Sequence, residues 1–403
     1  MHLRSARRST GRLSAVPAIL LSLSLLQTAW ITFPLSASAA ESGSTTARIV
    51  MVGDMLMHKY VVDTGERKDP DGNSYWNFDH LFAHVKDEVE RADLAIVNQE
   101  TILGGRELNG FTGYPTFNSP YELADAEVRA GFDVILHGTN HALDRSARGI
   151  ENCLKYWKSA HPKTLVLGIH DSAEDQKIIR IVTVKGMKLA ILNYTYGTNG
   201  IQMPGGKGYL VDYLSEQRVR DDILRAEAAA DLTIVCPHWG TEYRLTVSAD
   251  QKKWMKLFLE SGADLVIGTH PHVIEPVVWE SDDQGNRMLV YYSLGNFVNS
   301  TATWREGVMQ RMVGGMAEIT LSRDPAGHVR ISDYTVRPVV NHIVDRPGEK
   351  LVTAYFLDEY TQELAEESRV KKQDPTFSLE ACYRLVEQVW PGVYDKRRRK
   401  GYE

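Results

Sequence analysis

The chain has 403 residues, of which 43% are hydrophobic and 24% are charged, and its formal net charge is −6. This length allows one large domain with an extension, and the net negative charge gives no reason to expect nucleic-acid binding. Three widely spaced cysteines, Cys153, Cys236 and Cys382, exclude a disulfide framework and leave one bridge at most. Cys236 lies in an apolar run, which favours a buried thiol.

Residues 1–40 have the order of a secretory signal peptide. Arginines without acidic residues come first, the apolar run AVPAILLSLSLLQTAWITFPL follows, and SASAAES offers small residues for cleavage near Ala39 or Ala40. We therefore predict export, with the protein secreted or associated with the cell envelope. An uncleaved membrane anchor is the alternative, because the apolar run is only slightly shorter than a membrane span.

Five short apolar runs are each followed by residues that can bind a metal or transfer a proton. In chain order the runs are ARIVMVGD, DLAIVNQE, FDVILHGTNH, DLTIVCPHWG and DLVIGTHPH. Continuous β-branched runs of this length predict strands covered on both faces. Helical patterns lie between them at 150–157, 219–226 and 254–258, so the sequence predicts an α/β fold with a largely parallel sheet. Ligands bind at the carboxyl ends of such strands, and the five polar ends are expected to meet there.

Further strands are predicted at 188–194 and 288–297. Beyond residue 316 the pattern alternates, which predicts antiparallel strands that close the sheet. Residues 349–366 and 378–390 have the spacing of amphipathic helices. The basic run KRRRK at 396–400 is typical of a solvated tail, with contact to anionic envelope polymers as the alternative.

The polar strand ends supply a mixed set of ligands, namely the carboxylates of Asp54 and Glu100, the amide of Asn140 and the imidazoles of His238, His270 and His272. Carboxylate with imidazole suits Mn, Zn or Fe better than Ca. Six ligands are enough for one or two divalent ions. Two ions about 3.5–4 Å apart can hold an attacking hydroxide and neutralise the leaving oxygen.

Pro271 fixes its own φ and favours an extended His270, so His270 and His272 are expected to point the same way. His141 is the candidate proton donor to the leaving group, and Asp144 three residues later is the candidate group that orients it. Strand-end capping is the alternative role for Asn140 and His141.

Three other polar residues and one loop have open assignments. His58 joins the site if the segment after Gly53 becomes helical, and otherwise faces solvent. Glu242 is either a partner of the ligands or a surface carboxylate, and Asn296 is expected to make a local turn bond. The loop at 104–121 is rich in glycine, proline and aromatic residues, and we expect it to border the substrate.

Six motifs in this order, VGDMLMH, NQET, GTNHALD, HWGTEY, GADLVIGTHPH and YSLGNF, resemble the CapA family of poly-γ-glutamate capsule biosynthesis. That family resembles a branch of the calcineurin-like metallophosphoesterases, and the likeness covers about residues 46–300. It implies a four-layer α/β/β/α sandwich, here with a C-terminal helical extension. It also implies that Asp54, Glu100, Asn140, His238, His270 and His272 occupy metal positions and that His141 occupies the acid position.

The residue patterns and the resemblance together predict three parts of the chain: a signal peptide at 1–40, a CapA-type metallophosphatase-like domain at 46–345 and a helical extension with a basic tail at 346–403. Two features depart from the superfamily pattern. No histidine follows Asp54 until His58, and the second motif has Asn98 and Glu100 where aspartate is usual. A single-metal site is therefore an alternative.

Three functions follow from these observations. The first is a metal-dependent hydrolase of phosphoester or γ-glutamyl bonds, using a metal-bound hydroxide on an anionic polymer or phosphoester substrate. The second is a non-catalytic envelope component that works with polymer synthesis machinery in synthesis, export or retention. The third is a carbohydrate- or polymer-binding domain without a metal. No GxSxG, P-loop or GxGxxG motif supports a serine hydrolase or a nucleotide-binding protein.

Overall fold

Two large β-sheets form the centre of the protein, in a computed structural model that describes residues 31–34 (backbone only), 45–301, 303 and 307–399. The strands are β1 (Ile31–Pro34), β2 (Thr45–Met55), β3 (Glu66–Lys68), β4 (Ser74–Trp76), β5 (Leu94–Gln99), β6 (Val134–Leu136), β7 (Leu165–Leu167), β8 (Arg180–Val184), β9 (Met187–Thr195), β10 (Leu232–His238), β11 (Leu265–Ile267), β12 (Val277–Ser281), β13 (Arg287–Tyr291), β14 (Asn296–Val298), β15 (Val313–Arg323), β16 (Val329–Arg346) and β17 (Glu349–Phe356). The α-helices are α1 (Lys59–Thr64), α2 (Lys86–Glu90), α3 (Glu122–Ala130), α4 (Ser146–Ala160), α5 (Ala173–Gln176), α6 (Glu216–Glu227), α7 (Ala249–Ser261), α8 (Gln362–Glu367), α9 (Arg369–Gln373) and α10 (Leu379–Val389).

Each sheet contains parallel strands with antiparallel strands at its edges. One sheet has the order β1-β8-β9-β10-β11-β13-β12, and the pairs β9/β10, β10/β11 and β11/β13 are parallel. The other has the order β17-β16-β15-β2-β5-β6-β7, with β2, β5, β6 and β7 parallel. Strands β15 and β16 join it antiparallel, which confirms the prediction made from the alternating C-terminal pattern.

The side chains of β10 show how the layers are stacked, because successive residues of a strand point to opposite faces. Ile234 and Cys236 belong to the core between the two sheets, where the Cys236 Sγ lies 3.9 Å from the Met51 Sδ of β2. Val235 faces the other way, into a second core formed with α6 and α7. Helices α3 and α4 pack residues such as Leu123 and Trp157 into the same continuous apolar cluster as the strands β5 and β6 of the other sheet. The predicted four-layer α/β/β/α sandwich and its α/β class are confirmed.

The segment predicted as one strand at 288–297 is two strands in different sheets. β13 ends at Tyr291, and β14 begins at Asn296 and pairs with β2 in the other sheet. Gly295, with φ of 65°, lies between them, and its carbonyl accepts a hydrogen bond of 2.9 Å from the Asp54 amide. A Cβ on Gly53 would lie 1.9 Å from that carbonyl oxygen, so only glycine allows this approach.

Two expectations about the C-terminal part need correction. The helix predicted over 349–366 is wrong in its first half, since Glu349–Phe356 form β17, whose alternate residues Val352, Ala354 and Phe356 enter the core. The described part of the basic run is not a free tail. Arg398 pairs with Glu318 at 2.9 Å and Arg399 with Glu380 at 2.9 Å, and both arginines are partly buried.

The predicted signal peptide lies outside the described residues except for β1, whose backbone pairs with β8. None of the described helices combines the length and the apolar character needed to cross a membrane. All three cysteines are buried free thiols, as expected for Cys236. The division of the chain at residues 40 and 345 remains a prediction.

Substituting Gly53 with alanine is expected to destabilise the fold by at least ~2 kcal/mol, because the new methyl group forces the two backbones apart. Gly208→Ala is the matched control, since nothing lies within 4 Å of a Cβ built there. Urea unfolding of both variants measures the difference. Equal midpoints for Gly53→Ala and the wild-type protein would show that the contact between the Gly53 and Gly295 backbones is not tight.

Candidate metal centre

The two sheets place their polar strand ends together. Asp54 is the next-to-last residue of β2, Glu100 directly follows β5, and Asn140 follows β6 by four residues. His238 ends β10, and His270 and His272 follow β11. All six side chains are buried. Residues that are far apart in the sequence therefore form one cluster, and the carboxyl ends of parallel strands from both sheets supply it.

Glu100 lies at the middle of this cluster. Its Oε1 is 3.5 Å from the His272 Nε2, 3.7 Å from the His238 Nε2 and 4.0 Å from the His141 Nε2. Neither carboxylate oxygen has a hydrogen-bond partner among the described residues. Burial raises the Glu100 pKa well above its usual value, against the opposing effect of His272. The carboxylate faces three imidazole nitrogens without bonding to any of them.

Asp54 is held by neighbours from two segments, β5 and the segment that follows β11. Its Oδ1 accepts a hydrogen bond of 2.8 Å from the Asn98 Nδ2, its Oδ2 lies 3.1 Å from the His272 Nδ1, and both oxygens lie 3.2 Å from the His270 amide. The His238 Nε2 in turn lies 2.9 Å from the Asn140 Oδ1. These contacts fix the orientation of the carboxylate and the imidazoles that surround Glu100.

Three overlapping groups of side chains have the spacing of metal ligands, with one donor atom from each residue and all donors within 4.8 Å of one another. They are Glu100 with His238 and His270, Asp54 with Glu100 and His272, and Glu242 with His270 and His272. Glu100, His270 and His272 each belong to two groups, so the cluster does not divide into two separate sets.

A divalent cation fits this donor set. Both Glu100 oxygens and the His270 Nδ1 are buried without a hydrogen-bond partner among the described residues, and a buried polar atom of this kind carries a free-energy cost that coordination removes. The mixture of carboxylate and imidazole favours Mn, Zn or Fe over Ca. The assignment of the six residues as metal ligands remains a prediction, to which we return below.

The imidazoles of the cluster differ in the direction of their pKa shifts. Burial, followed by the neighbouring histidines, lowers the pKa values of His238 and His270 well below the usual value, so both rings are neutral and can offer a lone pair. His272 differs: burial lowers its pKa, but Glu100 and Asp54 outweigh that effect and raise it to about 10. The two carboxylates therefore hold a positive charge on His272 when no cation is present.

His270 and His272 converge by a different backbone geometry from the one expected. The sequence predicted an extended His270 before Pro271, but His270 has φ of 101° and His272 has φ of 58°. Both are in the left-handed region, which is unfavourable for residues with a Cβ. Their rings lie 5.8 Å apart, and the His270 ring lies 4.8 Å from that of His238. Strained backbone at two candidate ligand positions is typical of functional sites.

His141 borders the cluster, and Asp144 fixes the orientation of its ring from the side opposite Glu100. Its Nδ1 lies 2.7 Å from the Asp144 Oδ2, and that oxygen also accepts a hydrogen bond of 2.6 Å from the Phe117 amide. The His141 Nε2 is thereby directed towards Glu100, 4.0 Å away. Asp144 therefore has the orienting contact that its spacing predicted.

A cavity of about 680 Å³ opens beside the cluster and is lined by His141 and His272. The loop at 104–121 reaches it through Tyr114 and Phe117. His58 also lines the cavity, as the residue preceding α1, and its ring contacts that of Phe117 at 5.3 Å between centroids. Burial, with a contribution from His272, lowers the His58 pKa to about 3. His58 thus reaches the cavity but belongs to none of the three groups of candidate ligands among the described residues.

Glu242 and Asn296 also have clear positions. Glu242 is exposed on the cavity wall and belongs to a candidate ligand group with His270 and His272. Asn296 does more than the local turn bond that was expected. Its Oδ1 lies 3.1 Å from the His272 Nδ1, and its Nδ2 donates to the carbonyls of His272 and Arg311.

Sequence reasoning did not identify two further residues of the site. Asn98 is buried between Asp54 and His238, with its Oδ1 lacking a partner among the described residues. Its position in NQE, two residues before Glu100, was the available signal. Arg311 lines the cavity and stacks on Tyr243. It follows a segment without regular periodicity, and no motif marked it.

A sequence profile of the family described as "Bacterial capsule synthesis protein PGA_cap" matches residues 48–301, more than half of the chain. The chain is 26% identical over 307 residues to a capsule biosynthesis protein CapA of Bacillus anthracis, a match that covers 73% of this chain and 70% of the relative. It is 25% identical over 270 residues to a PGA biosynthesis protein CapA of Bacillus subtilis, covering 61% of this chain and 62% of that protein, less than two thirds of its length.

Among solved structures, an NAD nucleotidase of Haemophilus influenzae has a TM-score of 0.46 and 13% sequence identity to this chain. That match covers 88% of this chain and 66% of the nucleotidase.

Replacing Glu100 with glutamine is expected to lower bound divalent metal at least about tenfold, because an amide is a far weaker ligand than a carboxylate at the same position. The measurement is elemental analysis of protein purified without chelator. Glu127→Gln is the matched control. Glu127 on α3 is also fully buried, without a hydrogen-bond partner for either oxygen among the described residues, but it belongs to none of the candidate ligand groups. Equal metal content in the two variants would contradict the proposed centre.

Proposed function

This chain belongs to the bacterial capsule synthesis protein family, and we propose that it is a metal-dependent hydrolase whose metal centre is the cluster around Glu100. The proposed ligands are Asp54, Glu100, Asn140, His238, His270 and His272. The supporting observation is the buried Glu100 carboxylate, which faces three imidazole nitrogens within 4.0 Å and has no hydrogen-bond partner among the described residues.

The charges of the cluster favour a cation. Asp54 and Glu100 are both fully buried beside His272, and they raise the His272 pKa to about 10, which favours a proton on that ring. Metal ligands must be deprotonated, so a divalent ion would replace that proton and satisfy the same carboxylates. His238 and His270 are already neutral and need lose no proton.

His141 and Asp144 are the proposed proton-transfer pair. A bound divalent ion lowers the pKa of water and polarises the substrate. In hydrolysis, the bond to the leaving oxygen or nitrogen breaks as water adds to the phosphorus or the carbonyl carbon, and the leaving atom requires a proton. His141 can donate it from Nε2, which faces the cluster, while Asp144 holds Nδ1 and stabilises the imidazolium before transfer.

The proposed substrates are phosphoester or γ-glutamyl bonds of an anionic polymer or its precursors. The family description and the Bacillus anthracis relative name capsule biosynthesis, and the Bacillus subtilis relative names PGA biosynthesis. These names support our proposal of export and of partners in envelope polymer synthesis. The proposed metal ligands are compatible with cleavage of either kind of bond, since an activated water molecule can attack either phosphorus or a carbonyl carbon.

His141→Ala is expected to lower kcat by roughly 10²–10⁴-fold on substrates with a poor leaving group, because the leaving atom then lacks its proton donor. On a nitrophenyl phosphodiester the loss should be far smaller, since nitrophenolate leaves without protonation. The measurement is steady-state kinetics with an alkyl and a nitrophenyl phosphodiester, and with an alkyl amide and a nitroanilide of γ-glutamate.

His161→Ala is the matched control. Its ring also lies 2.7 Å from a carboxylate, that of Asp125, but away from the cavity. Metal content of both variants is measured in parallel, so that loss of the ion is distinguished from loss of the proton donor. Stoichiometric metal without turnover of any of these substrates would favour the non-catalytic envelope component instead.

A further inference from the structure

The histidine turn, residues 268–276 after β11, carries the strained backbone of the cluster. His270 and His272 have φ of 101° and 58° there, and a backbone of this kind persists only where surrounding contacts hold it. Glu275, three residues after His272, is fully buried and connects the turn to three other segments of the chain. The proposed hydrolytic chemistry does not use this residue.

The backbone of Glu275 is bound on both sides. Its amide donates a hydrogen bond of 3.1 Å to the Ser293 carbonyl, at the crossing between β13 and β14. Its carbonyl accepts a hydrogen bond of 2.8 Å from the Trp390 Nε1, directly after α10. The buried Trp390 ring lies against β15, since a Cβ built on Gly315 would be 2.6 Å from it. The C-terminal part of the chain thus reaches the histidine turn through one indole N–H.

The side chain of Glu275 connects the turn to α7. Its Oε2 accepts a hydrogen bond of 2.5 Å from the Gln251 Nε2, and Gln251 is fixed at the start of α7 by a capping box with Ser248. Gln251 also contacts the segment after β10, because a Cβ built on Gly240 would lie 2.8 Å from its amide carbon. Gly240 comes two residues after His238. The pair of Glu275 and Gln251 therefore lies between the two segments that carry the histidines of the cluster.

Packing alone does not require a carboxyl group at this position. The Glu275 Oε1 is buried without a hydrogen-bond partner among the described residues, so the group carries a free-energy cost that an apolar side chain of similar size would avoid. In return, a hydrogen-bonded pair defines the geometry of the two segments that it joins more narrowly than apolar contacts do. Glu127 differs, because its carboxyl group bonds to no other element among the described residues.

We propose that Glu275 is a positioning residue, whose hydrogen bonds with Gln251 and Trp390 hold the histidine turn in the conformation that directs His270 and His272 into the candidate metal centre. Holding the turn does not depend on a metal, whereas the effect on metal affinity rests on the proposed function. Trp390 then contributes to the centre without touching a ligand, from a region of the chain where the sequence showed no site residue.

The first test is the affinity for Mn²⁺, measured by isothermal titration calorimetry with chelator-treated, dialysed protein. Glu275→Met keeps the length of the side chain but removes the acceptor for Gln251. It is expected to raise Kd about tenfold or more, because losing the groups that orient metal ligands typically costs roughly 10–100-fold in affinity. Glu275→Gln keeps an acceptor and should restore a Kd close to the wild-type value. This rescue separates the hydrogen bond from mere packing.

Trp390→Phe tests the other connection, since it keeps an aromatic ring but leaves the Glu275 carbonyl without its donor, and Kd should rise in the same direction. Trp157→Phe is the matched control, because the Trp157 ring is also buried, with its Nε1 3.3 Å from the His137 Nε2 away from the cluster. Glu127→Met is the control for Glu275→Met. Thermal unfolding confirms that each variant is folded, and either test variant carries the test if the other does not fold.

Hydrogen–deuterium exchange of the metal-free protein tests the turn itself. The amide of residue 275 is protected by the Ser293 carbonyl, and the His270 amide by Asp54. Amides of residues 268–276 should exchange about tenfold faster or more in Glu275→Met and Trp390→Phe, because local opening of the turn becomes easier. The two control variants should keep the wild-type exchange rates there.

The outcomes separate this proposal from the proposed function. Wild-type exchange rates in the folded test variants, or equal changes in the controls, would overturn the proposal. A wild-type Kd for Mn²⁺ in both test variants would overturn the positioning role while the metal centre stands. If the wild-type protein binds no Mn²⁺ at millimolar concentration but the turn opens in the test variants, the held turn is supported and the metal centre is refuted.

Discussion

Glu100 is fully buried, and neither of its carboxylate oxygens has a hydrogen-bond partner among the described residues. An ionised carboxylate in that position costs several kcal/mol unless a cation compensates it, and a protonated one leaves a polar group unsatisfied. The surrounding structure does not remove this cost with donors of its own. It directs imidazole nitrogens at the same oxygen from distances of 3.5 to 4.0 Å. A bound divalent ion would coordinate the Glu100 oxygens and so supply the partner that they lack.

Burial alone does not identify such a centre, as Glu127 shows. Both residues are fully buried carboxyls without hydrogen-bond partners among the described residues, and burial raises the pKa of both. Burial is the single cause of the pKa shift for Glu127, so its surroundings favour the neutral carboxyl group, which needs no cation. The Glu100 pKa also responds to His272 and Asp54. The presence of a second carboxylate and several imidazoles distinguishes a ligand from an isolated buried acid.

The sequence pattern was sufficient for the α/β class and for the gathering of the strand ends, because apolar runs followed by Asp54, Glu100, Asn140 and His238 obey the general rule for parallel sheets. The four layers came from the family resemblance. The backbone geometry at the site was harder to predict from the sequence. Local rules favour an extended residue before Pro271, and tertiary contacts impose positive φ on both flanking histidines instead. In the same way, nothing local indicates that 288–297 leaves one sheet and enters the other, since that crossing depends on the distant Gly53.

Asn296 shows why the least conspicuous residues of the site were the hardest to predict. An asparagine after a glycine is ordinary turn chemistry, yet its amide contacts the His272 ring, the His272 carbonyl and the Arg311 carbonyl. Its neighbour Gly295 also accepts the hydrogen bond from the Asp54 amide. One short crossing between the sheets thus contacts the backbone of Asp54, the ring of His272 and the backbone of Arg311. Because the same crossing binds to Asp54 and to His272, it holds a carboxylate and an imidazole of the candidate metal centre in fixed positions relative to each other, although the two residues belong to segments more than 200 residues apart.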